Sequence, residues 1–246
     1  MLAERYFEKM KRVLADIENT QRDRISECAG AIADTLCSGG IWHLLDTGHM
    51  LMYEGVGRSG GLMAVRPIRI TVDVSNPTRH RAAPGRKNVY MDEIEGLPGF
   101  VLGKANVVPG DILMIGSVSG INVLPVEIAL KAREMGVGTI ALTSVAYSGH
   151  LKSNHPTGKR LFEACDHVLD NCGGIGDALV EAEGLGRSIC PSSGIAASYI
   201  MWALQADVVE IMLSRGRKPG VYISNHIENA GRINNETWEQ YEKQGY

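Results

Sequence analysis

Two short apolar runs, Ile112 to Ile115 and Gly138 to Leu142, bracket a stretch of helical period. Continuous apolar runs of this length are what strands buried on both faces of a parallel sheet require. Between them Ile121, Leu124, Ile128, Ala132 and Met135 recur at spacings of three and four, Pro125 suits a first turn, and Gly136 supplies a stop. Asp111 to Ser144 therefore reads as strand, loop, helix, strand, a βαβ unit around which the rest of the chain is arranged. The loop entering the helix is Gly116-Ser117-Val118-Ser119-Gly120. It gathers two hydroxyls and several backbone amides at a positive helix end beyond a strand's carboxyl edge, the setting for an anion.

Upstream, Tyr6, Met10, Val13 and Ile17, then Ile25, Cys28, Ile32 and Leu36, predict one long amphipathic helix or two shorter ones, closed by Ser38-Gly39-Gly40. Such an arm either packs on another subunit or covers its own sheet, and the pattern leaves both readings open. Ile41 to Leu45 is the first strand, turning at Asp46-Thr47-Gly48-His49-Met50. A short helix carrying Glu54 is expected from Met50 to Ser59, weakened by Gly55 and Gly57. Leu62 to Val72 is a second strand whose Pro67 suggests a sheet edge, consistent with a strand order of 2-1-3-4-5.

Residues 73 to 106 read as an insertion with the basic cluster Arg79-His80-Arg81 and Arg86-Lys87, taken as solvated charge outside the site. Val145 to Pro156 reads as loop, Thr157 to Ala164 as the start of a helix, and Asp166 to Asp170 as a fifth strand. Ala178 to Pro191 is expected to be extended, Ile195 to Leu213 a nearly all-round apolar helix behind Pro191-Ser192-Ser193-Gly194, and the polar tail to end in a helix from Glu236.

The length of 246 residues suits a single α/β domain with additions. A hydrophobic share of 44%, a charged share of 22% and a net charge of -3 give no electrostatic bias toward nucleic acid or an acidic membrane. Five cysteines without a C-x-x-C pair argue against a disulfide framework and a cysteine zinc site. A charged N-terminus, and no apolar run approaching the roughly 18 residues of a span, lead to the expectation of a cytoplasmic protein.

Two nucleotide signatures fail: Gly174-Ile175-Gly176-Asp177 lacks the third glycine of a dinucleotide fingerprint, and Gly158-Lys159-Arg160 lacks the rest of a P-loop. His150 and His155, with Glu54 or His49, could supply metal ligands, but the spacing is not that of a helical zinc pair. The reading is no cofactor, with a divalent metal as the lesser alternative. Glu127, in the first turn of its helix, reads as a carboxylate complementing the dipole.

The Ser117-Val118-Ser119-Gly120 loop resembles that of the sugar isomerase (SIS) family, whose phosphosugar loop is Ser-x-Ser-Gly between a buried strand and a helix. The likeness extends to Asp46 to Met50 in place of the family's Gly-x-Gly-x-Ser loop, to Thr143-Ser144 at the end of the next strand, and to the serine-rich opening of the last long helix. It looks closest to a small bacterial branch with a Pro-Val-Glu-x-Ala-Leu helix, here Pro125 to Leu130. Met50 and Val118 depart from polar residues common in the family, which leaves sulfonate or carboxylate beside phosphate as the ligand's anionic group.

The resemblance implies a three-layer α/β/α sandwich with a five-stranded parallel sheet in flavodoxin-like order, a single domain over residues 1–246. Its parts would be a helical arm at 1–37, a core at 38–215 and a tail at 216–246. It implies a homodimer or higher homo-oligomer acting on an anionic sugar, most simply a phosphosugar, by aldose-ketose isomerisation. Ser117, Ser119, Gly120, Thr143, Ser144 and Ser192 would hold the anion, and Thr47, Gly48 and His49 would meet the carbonyl end. By position in the family Glu54 would move the proton; its pairing with His49 follows from that histidine's place in the loop after the strand. The alternatives are a noncatalytic sugar-phosphate-binding regulator and a lyase or etherase of the same family.

Overall fold

The computed structural model describes residues 1–48, 50–73 and 90–246. The basic cluster of residues 79–87 and His49 lie outside the described residues.

The amphipathic arm is two helices, α1 (Leu2–Thr20) and α2 (Arg22–Cys37), broken at Gln21. Met10, Val13 and Ile17 on α1 and Ile25, Cys28, Ile32 and Leu36 on α2 are the buried stripe that the period predicts. The arm leads into β1 (Trp42–Asp46), and β2 (Val65–Ile68) follows. This second strand is shorter than the apolar pattern suggests; Leu62 instead makes an isolated antiparallel bridge with Val221. Residues 50–59 form turns rather than the expected helix. Gly57 stands at φ +67°, a left-handed conformation that stops helical propagation.

The segment read as a plain insertion contains a 3₁₀ turn, Met91–Glu93, and a helix, α3 (Leu97–Lys104). The central unit is β3 (Ile112–Gly116), α4 (Val123–Glu134) and β4 (Gly138–Thr143). Where a loop was expected, α5 (Val145–His150) forms, because Ser144 caps it by accepting the Tyr147 amide at 3.1 Å. It is followed by α6 (Leu161–Ala164), β5 (His167–Asp170), the hairpin β6 (Ala178–Ala182) and β7 (Arg187–Pro191), and the long α7 (Ser193–Ser214). The tail forms α8 (Ala230–Gln244), starting well before Glu236.

The five-stranded sheet has the order β2-β1-β3-β4-β5, with every pairing parallel. Alternate residues face alternate layers, as the pleat requires. Trp42, Leu44, Ile112, Met114, Ile140 and Leu142 pack under α1, α2 and α7. Leu45, Leu113, Ile115 and Ala141 pack under α3, α4 and α6. The result is a three-layer α/β/α sandwich. By length and composition α7 could cross a membrane, yet Ala197, Ile200, Met201, Leu204 and Val208 are fully buried in the core.

At the amino edge of the sheet a buried pair ties β1 to β3, with His43 Nε2 at 3.0 Å from Asp111 Oδ2. The same carboxylate accepts the Ile41 amide at 2.8 Å and the Val108 amide at 2.9 Å. This pair belongs to the fold, at the end of the sheet opposite the ligand loops. The tail wraps the β2 edge, where the Arg66 guanidinium lies 5.8 Å from the Trp238 ring and 5.7 Å from the Tyr241 ring.

Candidate functional site

In a sheet of order 2-1-3-4-5 the connections leave β1 and β3 in opposite directions, opening a crevice at their carboxyl ends. A cavity of about 330 Å³ occupies that crevice. Its walls include Asp46, Thr47 and Gly48 from the loop after β1, Ser117, Val118 and Ser119 from the loop after β3, Tyr147 of α5, and Asp177 just before β6. A second hollow of about 280 Å³ shares Asp46, Thr47 and Gly48 and extends toward Tyr53, Arg69 and Met91.

Each wall is set by local bonding. Asp46 ends β1 with its carboxylate turned back into the loop, accepting the Gly48 amide at 2.9 Å and the Leu51 amide at 2.6 Å. Thr47 donates its amide, at 3.1 Å, and its hydroxyl, at 3.2 Å, to the Gly116 carbonyl, which locks the two loops together. Ser117 continues the ladder by donating its amide to Leu142 at 3.0 Å. Its side chain is buried to 6% exposure, and neither its hydroxyl nor that of Ser119 or Tyr147 has a partner among the described residues. Hydroxyls left unpaired on a cavity wall are available to a ligand.

Of the residues expected to meet ligand, Thr47, Gly48, Ser117 and Ser119 are brought together on this cavity. Gly120, Thr143, Ser144 and Ser192 are placed behind it. Gly120 stands at φ +59° with its carbonyl accepting the Leu161 amide at 2.8 Å. A Cβ there would sit 3.0 Å from Thr143 Oγ1 and 3.1 Å from Ser148 Oγ, so this glycine serves close packing. Thr143 is fully buried and donates its hydroxyl to the Val118 carbonyl at 3.0 Å. Ser144 is fully buried, donating to the Gly173 carbonyl and capping α5. Both brace the Ser117–Gly120 loop from beneath.

Ser192, also fully buried, donates its hydroxyl to Asp177 Oδ1 at 3.0 Å. Glu54 is 47% exposed, 3.4 Å from the Arg58 guanidinium, and lines neither hollow.

The positive end of α4 is also not the free anion seat that the pattern suggests. Asp92 accepts the Val123 and Leu124 amides, each at 3.2 Å. The loop before the helix keeps its own donors, since the Ser119 and Gly120 amides have no partner among the described residues. Glu127 does not merely complement the dipole: it lies 2.6 Å from Nε2 of buried His155, whose Nδ1 accepts the Thr157 amide at 3.2 Å.

Asp46, Tyr147 and Asp177 are wall residues that the pattern of apolar runs does not single out. The clue for Asp46 is its place at the strand end. For Asp177 it is the Gly174-Ile175-Gly176 turn that the nucleotide fingerprints had drawn attention to.

Residues 5–144 match the family described as SIS domain. A UPF0309 protein of Streptomyces griseus is 34% identical over 246 residues, covering 98% of this chain and 95% of that protein. One from Listeria monocytogenes is 31% identical over 238 residues, covering 96% and 94%. Among solved structures, a Bacteroides fragilis protein assigned as a phosphosugar isomerase involved in capsule formation aligns with TM-score 0.50 at 13% identity, over 88% of this chain and 91% of that one. A phosphoheptose isomerase from Francisella tularensis aligns with TM-score 0.48 at 14% identity, over 82% and 94%. The loop after β3, the sheet order and the near full-length identity to the UPF0309 proteins agree: this chain belongs to the SIS domain family, among its UPF0309 members.

Proposed function

We propose that the crevice between β1 and β3 binds an anionic sugar, with a phosphosugar the simplest ligand, and that the protein interconverts its aldose and ketose forms. The observation that carries the binding is the set of unpaired hydroxyls of Ser117, Ser119 and Tyr147 on a cavity of about 330 Å³ at the sheet's switch point. That volume lies at the small end of the range for ligand sites, suited to one sugar unit. The Ser119 amide adds a donor on the same loop, and Thr47 and Gly48 line the same crevice from the loop after β1.

Isomerisation needs a base to carry a proton between adjacent carbons. Glu54 fills that role if the turn of residues 50–59 swings its carboxylate from Arg58 toward the crevice. Its observed pairing outside the cavity favours a second reading, a binding module that senses the sugar without turning it over.

Calorimetry with fructose 6-phosphate tests binding. Removing both serine hydroxyls, Ser117→Ala with Ser119→Ala, should weaken it by about tenfold per hydroxyl, the value of a hydrogen bond to a charged group. An unchanged affinity removes the loop from the site. Deuterium wash-in from solvent into the bound sugar then separates the readings. The isomerase exchanges and Glu54→Gln stops exchange while binding persists; binding without exchange in the wild type selects the sensor, and release of a fragment selects a lyase. Assembly as a homodimer belongs to the same proposal.

A further inference from the structure

We propose that Asp177 is a selectivity residue. Its carboxylate occupies the amino end of α7, closing it to a second anion, so that the cavity takes a sugar with one anionic group and disfavours a sugar with two. The location of the first anion, at Ser117 to Gly120, rests on the function proposed above.

The amino end of a 22-residue helix is a strong natural seat for negative charge. Here the chain fills it from within. Asp177 Oδ1 accepts the Ser192 amide at 3.0 Å, the Ser192 hydroxyl at 3.0 Å and the Ser193 amide at 2.8 Å. Oδ2 accepts the Ser193 hydroxyl at 2.7 Å. Both serines are fully buried, whereas Asp177 is half-buried and lines the cavity, so the helix end lies behind the carboxylate as seen by a ligand.

The backbone shows how specifically the residue is placed. Asp177 stands at φ +63°, a left-handed conformation that costs a non-glycine residue free energy and that the four donors hold. With three donors on Oδ1 and one on Oδ2, a lone pair of Oδ2 remains for a ligand hydroxyl. Ser117, Ser119 and Tyr147 supply unpaired hydroxyls on the cavity wall, whereas Asp177 and Asp46 supply carboxylates. A singly anionic polyol matches that division. A second phosphate directed at α7 meets a like charge.

Calorimetric titration of the full chain with inorganic phosphate tests the closure. Wild type should bind one phosphate, and Asp177→Gly, which suits the positive φ and uncovers the Ser193 amide and hydroxyl while the main-chain carbonyl at position 177 keeps the Ser192 amide at 3.1 Å, should bind two. One site in both proteins overturns the inference while leaving the anionic-sugar reading intact. No site in the wild type and one in Asp177→Gly sustains the inference and overturns that reading, and no site in either overturns both.

Should the glycine variant fail to fold, Asp177→Asn keeps an oxygen for the serine amides and removes the charge. Fructose 1,6-bisphosphate should then gain about tenfold in affinity relative to fructose 6-phosphate, roughly 1.4 kcal/mol. A ratio unchanged from the wild type overturns the inference.

Discussion

At the scale of single residues, the candidate site depends on side chains and backbone positions that lie behind the cavity wall. Gly120 is the sharpest case. Its φ of +59° and the 3.0 and 3.1 Å approaches awaiting a Cβ leave no room for a side chain without moving Thr143 or Ser148. Thr143 cannot yield freely, because its hydroxyl holds the Val118 carbonyl at 3.0 Å. Gly120→Ala should therefore cost about 1–3 kcal/mol of stability from the conformation alone, and should weaken sugar-phosphate binding by distorting the Ser117–Ser119 wall. Urea denaturation and calorimetry on one preparation check both, and an alanine variant as stable as the wild type removes the packing account. The motif Ser-x-Ser-Gly thus combines two kinds of residue: two hydroxyls facing the cavity and a glycine chosen for space. Sequence pattern cannot separate those roles, since each residue sits in the same five-residue loop.

Elements brace that loop from the far side, and α6 contributes through the Leu161 amide bonded to the Gly120 carbonyl. The start of α6 depends on charge. Glu163 accepts the Arg160 amide at 2.8 Å and its Nε at 2.9 Å, and Arg160 reaches back to the Gly149 carbonyl at 3.1 Å. Hydrogen bonding from the Arg160 guanidinium pulls the Glu163 carboxyl from its ordinary 4.5 down to about 2. A carboxyl lowered in the folded state contributes stability above its unfolded pKa and loses it as pH falls through the folded one. The difference in urea midpoint between wild type and Glu163→Gln should hold steady above pH 4.5 and vanish toward pH 2. The gap will be small, because Glu163 is 36% exposed and solvent screens the pair; a gap independent of pH would show that the lost interaction is not ionic.

The parallel strands were legible because double burial writes continuous apolar runs, as at Ile112 to Ile115. The helix α5 was not: Val145-Ala146-Tyr147-Ser148-Gly149-His150 has no apolar period, and its start depends on a Ser144 cap. The short α3 was hidden likewise, since Leu97, Val101 and Leu102 are buried within a run containing Pro98, Gly99 and Gly103. At residues 50–59 the outcome ran the other way, the short helix expected there giving way to turns with Gly57 at positive φ.

For the molecule as a whole, the face of α7 is where a single chain looks incomplete. Ile195 and Tyr199 are 47% and 39% exposed. Beside them runs a hollow of about 610 Å³ lined by Trp202, Pro191 and Met50, and a second of about 540 Å³ lies where α7 meets Ile17 and Ile25 of the amino-terminal arm. The arm's buried stripe covers its own sheet, one of the two readings its pattern left open, and the arm borders an apolar surface that faces solvent in the single chain. A stable homodimer buries about 1,200–2,000 Å² in total, and this face joins its apolar residues to the site itself, since Met50 lines both the α7 hollow and the candidate cavity. Sedimentation velocity should show a dimer at micromolar concentration. Ile195→Asp should shift it to monomer without loss of helical signal, because Ile195 is already half exposed in one chain and a carboxylate there stays solvated until a partner covers it. If the variant sediments as the wild type does, or the wild type is itself monomeric, α7 is not the contact. If the dimer dissociates and sugar-phosphate affinity falls with it, the crevice between β1 and β3 depends on assembly to hold its shape around Met50.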